Sequence, residues 1–232
     1  MNNVMADPLG IAVDATPRPR PERRIMAGRS VTLEPLNGQH AAELWAAARD
    51  APSSWTWLPV GPFVEFNAFS GYARFMAASQ GEIVWAVRPH DQNGQPGPSA
   101  GWLALLDIRP GDAAIELGNI WFPPGLARSR AATEAMFLLL DEAFTLGYRR
   151  MSWKCNILNF ASMRAAERLG FTQEGVLRAH MVVRGHRRDT AYFSLLDEEW
   201  PARRAAISAW LQDANFDSMG QAIRPLQRMS GD

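Results

Sequence analysis

Cysteine is almost missing from this chain of 232 residues. Cys155 stands alone, which excludes an internal disulfide and a cysteine-rich zinc site and points to a reducing compartment. Histidine is scarce too, and His40, His90, His180 and His186 fall at no metal-ligand spacing, so no metal is expected. A surplus of either charge is lacking, because 24 lysines and arginines balance 24 aspartates and glutamates. That removes the broad positive field by which nucleic-acid binders gather phosphate backbones, and no nucleic-acid partner is expected. No apolar run approaches the roughly 20 residues that span a bilayer, and the first residues lack the basic-then-apolar order of a signal peptide. The expectation is a cytoplasmic chain without a membrane partner.

What is present is apolar residue, 47% of the chain, enough to bury a sizeable core. Residues 1–28 differ from the rest: Pro17, Pro19 and Pro21 interleave with Arg18, Arg20, Arg23 and Arg24. Such a composition buries too little apolar surface to offset its ordering entropy, so a mobile or loosely docked arm is expected. Residues 29–212 read as the folded domain, and residues 213–232 as a polar tail.

Within the domain, Val31 and Leu33 alternate with Thr32 and Glu34 as in a strand, and Ala41, Leu44, Trp45 and Ala48 recur at helical spacing. A loop with Trp55, Trp57, Pro59, Gly61, Pro62 and Phe63 leads to a second helix over 65–79. Strands are expected at 83–87, 100–108 and 113–122, with turn residues at 91–98 and 110–112. Pro123, Pro124 and Gly125 then end the third of them. A long helix follows, carrying Ala131, Ala135, Met136, Leu139, Leu140 and Phe144 and stopped by Gly147. A strand at 149–154 comes next, and Asn159 reads as the N-cap of a helix ending at Gly170. Two strands joined by Arg184, Gly185 and His186 precede a last helix over 198–211. The order predicts an α+β fold with a mixed, mostly antiparallel central sheet, in which the 113–122 strand, the long helix and the 149–154 strand form a parallel crossover.

Three stretches in this order, Ile115 to Phe122, Ala132-Thr133-Glu134-Ala135, and Asn159-Phe160-Ala161-Ser162 with Leu169-Gly170-Phe171, resemble the GCN5-related (GNAT) acetyltransferase superfamily. Within it the chain is similar to the RimJ/RimL-like, ribosomal-protein-alanine acetyltransferase-like branch, over about residues 29–211. The resemblance implies the GNAT fold, with a splayed parallel strand pair that binds acetyl-CoA as co-substrate. It implies transfer of an acetyl group to a primary amine, either a protein N-terminus or a small amine or amino-acid conjugate, by direct attack on the thioester. A homodimer is left open.

The resemblance also assigns residues. The pyrophosphate of CoA would lie on backbone N–H groups of the loop Leu126, Ala127, Arg128, Ser129, Arg130 and Ala131, which fits the unpaired donors and partial positive charge of a helix start. Arg128 and Arg130 stand where the family has glycines, and Ala127 where Gln or Arg is common. Asn159 and Ser162 would meet the pantetheine arm and the thiol. A bulge near Asn119 and Ile120, beside Trp121, would hold the carbonyl oxygen. Glu116 is the candidate general base, its pKa raised by burial beside Ile115 and Leu117. The family's usual tyrosine acid is replaced by Ala166, and Ser162 matches the serine that serves in the RimJ/RimL-like branch. Trp57, Phe63 and Glu116 are the candidate acceptor contacts, with the hairpin Arg184 to Asp189 also bearing on substrate choice. Two other readings remain at this point: a catalytically degenerate acyl-CoA-binding domain, motivated by the substituted glycines and missing tyrosine, and an interaction protein working through the basic arm.

Overall fold

The computed structural model describes residues 10–226. The first nine residues of the arm and the last six of the tail lie outside the described residues. Eight strands form one sheet in the order β1-β2-β3-β4-β5-β6-β8-β7. They are β1 Met26–Ala27, β2 Val31–Pro35, β3 Ile83–Pro89, β4 Gly101–Arg109, β5 Ala114–Trp121, β6 Arg150–Asn156, β7 Thr172–Val183 and β8 His186–Leu196. Five α-helices accompany them: α1 Ala41–Ala48, α2 Phe66–Ala78, α3 Arg130–Thr145, α4 Phe160–Leu169 and α5 Trp200–Trp210. All neighbouring strands run antiparallel except β5 and β6, which are the ends of the β5-α3-β6 crossover.

The period of two along the strands divides the core into two layers. Trp85, Val87, Leu103, Leu105, Ile115, Leu117, Met151, Phe193 and Leu195 face Leu139 and Leu140 of α3 and Ile207 of α5. Val84, Ala86, Trp102 and Ala104 face the other way, against Leu44 of α1 and Phe69 and Met76 of α2. Trp121 breaks the parity, because it shares the α2 layer while Ile115 and Leu117 face α3. The cause is a bulge. Trp102 pairs Trp121 and Ala104 pairs Gly118, so β5 carries one residue more than β4, and Asn119 there takes φ +46°.

The parallel pair is short. β5 meets β6 only at Ala114, Ile115 and Glu116 opposite Arg150, Met151 and Ser152. Beyond Glu116 the strands diverge, which matches the expected splayed pair. At the other end of the sheet β7 is an edge strand, exposed over nearly its whole length.

Two segments outside the sheet are held by polar contacts that leave no periodic mark in sequence. From residue 10 the arm lies against the body: Arg23 donates to the carbonyls of Ala77, Ser79 and Glu82, Arg24 pairs with Glu142 of α3, and the Trp85 indole donates to the Arg24 carbonyl. The carboxylate of Glu134 in α3 accepts the N–H groups of Arg29 and Ser30 at 2.7 Å each and fixes the entry to β2. After α5, Phe216 packs edge-on to Trp210, whose indole donates to the Arg224 carbonyl, and Leu226 is buried.

Candidate active site

A cavity of about 1080 Å³ opens where β5 and β6 part. Strand parity gives it two sides. Trp153 and Cys155 of β6 turn toward α3 and α4, whereas Lys154 turns to the opposite face with Glu116 of β5 and Thr190 and Tyr192 of β8. The gap between the strands joins the two.

On the α3 side lies the start of that helix. Ser129 caps it by accepting the Ala132 N–H, and the N–H groups of Leu126, Ala127 and Ser129 are spent within the preceding turn. The N–H groups of Arg128, Arg130 and Ala131 find no acceptor among the described residues. Three open donors at a helix N-terminus form a ready anion cradle. Arg128 takes φ +63°, the left-handed backbone that a glycine in its place would adopt freely. Arg128 lines the cavity, but Arg130 does not: its guanidinium donates to Asp213 and to the Leu211 carbonyl and lies 4.4 Å over the Phe216 ring. Leu126 and Ala131 are buried, so they can offer a ligand only backbone.

Helix α4 closes this side. Asn159 is its cap, the side-chain oxygen accepting the Ser162 N–H at 3.1 Å. The Ser162 hydroxyl accepts the Trp153 indole N–H at 3.0 Å, so its own proton is left to donate, and the Cys155 sulfur is a neighbour it can meet. Cys155 is beside it, and burial pushes its thiol above the ordinary range. That favours a neutral packing thiol over a nucleophile. Arg168 also lines the cavity, bonded to Thr133 at 3.3 Å, and burial holds its guanidinium below its ordinary value.

On the other face Glu116 is buried, and burial pushes its carboxyl up by more than Lys154 pulls it down. Lys154 sits 2.6 Å from Glu116 Oε2 and 3.6 Å from Asp107. Burial lowers the ammonium, but the hydrogen bond and charge of Glu116 outweigh this and raise it. Glu116 Oε1 accepts no hydrogen bond from a described residue, and a Cβ added at Gly118 would come within 3.2 Å of it. Glycine thus leaves that oxygen open. Asn119 donates to Glu82 Oε2 at 3.0 Å, while burial pushes the nearby Tyr72 phenol up to about 12.

Of the residues expected from sequence, Glu116, Ser162, Asn119, Ile120, Ala127, Arg128, Asn159 and Trp57 come together on this cavity. Trp121 does not. Its ring is buried against Trp55 and Trp102, and its indole donates to Ser54. Phe63 stands edge-on to Trp55 at 5.2 Å, inside the aromatic cluster. Ser129 serves as a cap. Sequence reasoning missed Lys154, Arg168 and Tyr192 as cavity residues and reached Arg188 only as part of the hairpin Arg184 to Asp189. Lys154 did carry a signal, being the one lysine among 24 basic residues. Among the described residues no cluster of histidine, cysteine and carboxylate could hold a metal ion, and no helix is long and apolar enough to cross a membrane.

A sheet split at a parallel pair, with an anion cradle on one side and a carboxylate on the other, is the architecture of an acyl-CoA-dependent transferase, and comparison with known proteins agrees. Residues 30–172 match the family model described as an acetyltransferase (GNAT) domain, and the chain belongs to that family. A GCN5-related N-acetyltransferase from Brucella melitensis is 46% identical, with TM-score 0.88, and the match covers 94% of this chain and 98% of that one. A GNAT-family protein from Chromobacterium violaceum ATCC 12472 is 36% identical, with TM-score 0.77, over 86% of this chain and 100% of that one. YdaF of Bacillus subtilis (strain 168), whose name carries the words ribosomal N-acetyltransferase, is 25% identical over 74% of this chain and 92% of its own length. These matches are consistent with the RimJ/RimL-like branch.

Proposed function

We propose that the chain carries an acetyl group from acetyl-CoA to a primary amine without an acyl-enzyme intermediate. The observation that carries this reading is the open oxygen of buried Glu116 at the gap, with the donor hydroxyl of Ser162 on the cavity's other side. The CoA phosphates lie on the free N–H groups of Arg128, Arg130 and Ala131, with the guanidiniums of Arg128 and Arg168 adding charge-assisted bonds. The amine enters on the Glu116 face, past Trp57.

An alkylammonium has a pKa near about 10 and must lose a proton to attack. Glu116 takes it, directly or through water. The amine nitrogen bonds to the acetyl carbon, and the carbonyl oxygen gathers negative charge beside the bulge at Asn119 and Ile120. The carbon–sulfur bond then breaks, the departing thiolate takes the Ser162 proton, and the second proton shed by the acylated nitrogen returns through water to Ser162, while Glu116 releases its own proton to solvent. Cys155 has no part in this scheme.

The test follows free thiol while purified protein is mixed with acetyl-CoA and a panel of primary amines. Amine-dependent thiol release is expected, and Glu116→Gln should lower kcat by roughly 10² or more while the KM for acetyl-CoA stays close to its native value. Thermal stabilisation by acetyl-CoA with no thiol release from any amine would replace this reading with that of an acyl-CoA-binding domain.

A further inference from the structure

The carboxylates on the cavity wall are engaged: Glu116 and Asp107 by Lys154, and Glu82 by Asn119. Several cations there are not. Arg128, Arg164 and Arg188 line the cavity without a hydrogen bond or ion pair to any described residue, and Arg168 reaches only the Thr133 hydroxyl. Three of these four belong to the cofactor side, Arg128 before α3 and Arg164 and Arg168 on α4, where the phosphates of CoA account for them.

Arg188 is different. It lies on β8, where Ala191, Phe193 and Leu195 turn toward α3 and α5. Arg188, Thr190 and Tyr192 alternate with them and therefore face the other way, on the side of Lys154 and Glu116. β8 is regular there, because the extra residues of the β7–β8 ladder are all in β7. Its Nε is buried and without a partner, a costly state for a charged group unless something else meets it. The surroundings are a built wall. His180, exposed at the rim beside the bulge in β7, shares a 3.0 Å hydrogen bond with Thr190 and stands edge-on to Tyr192. Asp189 holds that bulge by accepting the Ala179 N–H at 2.7 Å. Arg184 ties the hairpin to the Trp55 carbonyl, two residues before Trp57.

We infer that Arg188 is an anion subsite for the acceptor, so that the amine acetylated by this chain carries a carboxylate close to its amino group. This rests on the acetyl-transfer reading and narrows it. Geometry supplies the reason: the fork of one guanidinium takes both oxygens of a carboxylate and so orients the molecule that bears it, while Glu116 on the same face takes the proton from its amine. The carboxylate that pairs with it comes from the acceptor, because no carboxylate of the described chain forms an ion pair with Arg188, and Glu116 feels its charge only at a distance.

The test uses the full chain, acetyl-CoA and two pairs of acceptors: alanine against alaninamide, and two tripeptide amides with N-terminal alanine that differ only in Asp or Asn at the second position. The first pair probes an α-carboxylate and the second a side-chain carboxylate. In one pair the anionic member should show a kcat/KM roughly 10- to 100-fold above its neutral twin, the worth of one charge-assisted bond. Arg188→Ala should erase that preference and Arg188→Lys should keep part of it, both with an unchanged KM for acetyl-CoA and an unchanged Tm. Equal kcat/KM within both pairs would overturn the subsite and leave acetyl transfer standing. A raised KM for acetyl-CoA in Arg188→Ala would also overturn it, by assigning the guanidinium to the cofactor. Thiol release from no amine at all would remove both readings together.

Discussion

Replacing Lys154 by methionine keeps the length of the side chain and removes its charge, leaving Glu116 buried without a counter-ion. Breaking a buried pair in this way costs about 3–5 kcal/mol when the remaining charge cannot escape. Here it can, by taking up a proton. Neutralising an ordinary glutamate at pH 7 costs roughly 3–4 kcal/mol, which sets the ceiling. Release of the partly buried ammonium returns some of this, so a loss of about 2–3 kcal/mol is expected at pH 7. The sign with pH follows from linkage. Burial already lifts the Glu116 carboxyl above its unfolded value, and the substitution lifts it further. A carboxyl raised in the folded state does not penalise folding below its unfolded pKa, and the penalty grows as pH rises toward the folded pKa. The gap between Lys154→Met and native protein should therefore be small near pH 4 and widen toward pH 7. Urea denaturation across that range reads it, and free-thiol kinetics reads the companion effect, an acid limb of kcat/KM displaced to higher pH. A constant stability gap together with an unmoved acid limb would show that Lys154 does not tune Glu116.

Three further outcomes follow from single contacts. Arg128→Gly should move two readouts in opposite directions: stability up by about 0.5–1 kcal/mol as the positive φ is relieved, and CoA affinity down about tenfold as a phosphate contact is lost, measured by thermal denaturation and calorimetry. Ser162→Ala should lower turnover roughly 10²-fold and leave the Trp153 indole unpaired at a cost of about 1–2 kcal/mol, and unchanged turnover would remove the serine from the mechanism. Gly61→Ala should cost at least about 2 kcal/mol, since φ is +75° and the new Cβ would meet the Trp55 ring at 2.6 Å; a Tm like that of native protein would contradict this.

Elements whose formation depends on apolar period were legible in sequence. The strand at 83–87 was readable as a run rich in β-formers, all of it buried, the long helix because apolar residues recur at helical spacing, and Asn159 and Gly170 marked the ends of α4 through local chemistry. Contacts made by long polar side chains were not legible. Nothing in the spacing of Arg23 shows that it would gather three carbonyls at the end of α2, and the Arg130 guanidinium reads as a grip on phosphate until the segment after α5 returns to pair with it. The cavity shows the same divide. Glu116 and Ser162 sit in recognisable stretches with a chemical role attached, whereas the places of Lys154 and Tyr192 on the wall depend on the pairing of β6 with β8, a relation set by tertiary register.

The brevity of the β5–β6 pairing makes the sheet two ribbons riveted at three residues, one of five strands and one of three. The ribbons are otherwise joined through the core layer they share against α3 and α5, and any motion between them widens or narrows the cleft itself. Any molecule that bonds to both lips clamps the ribbons together. Occupancy would register as slowed amide exchange at the seam long before it altered the shape of either half.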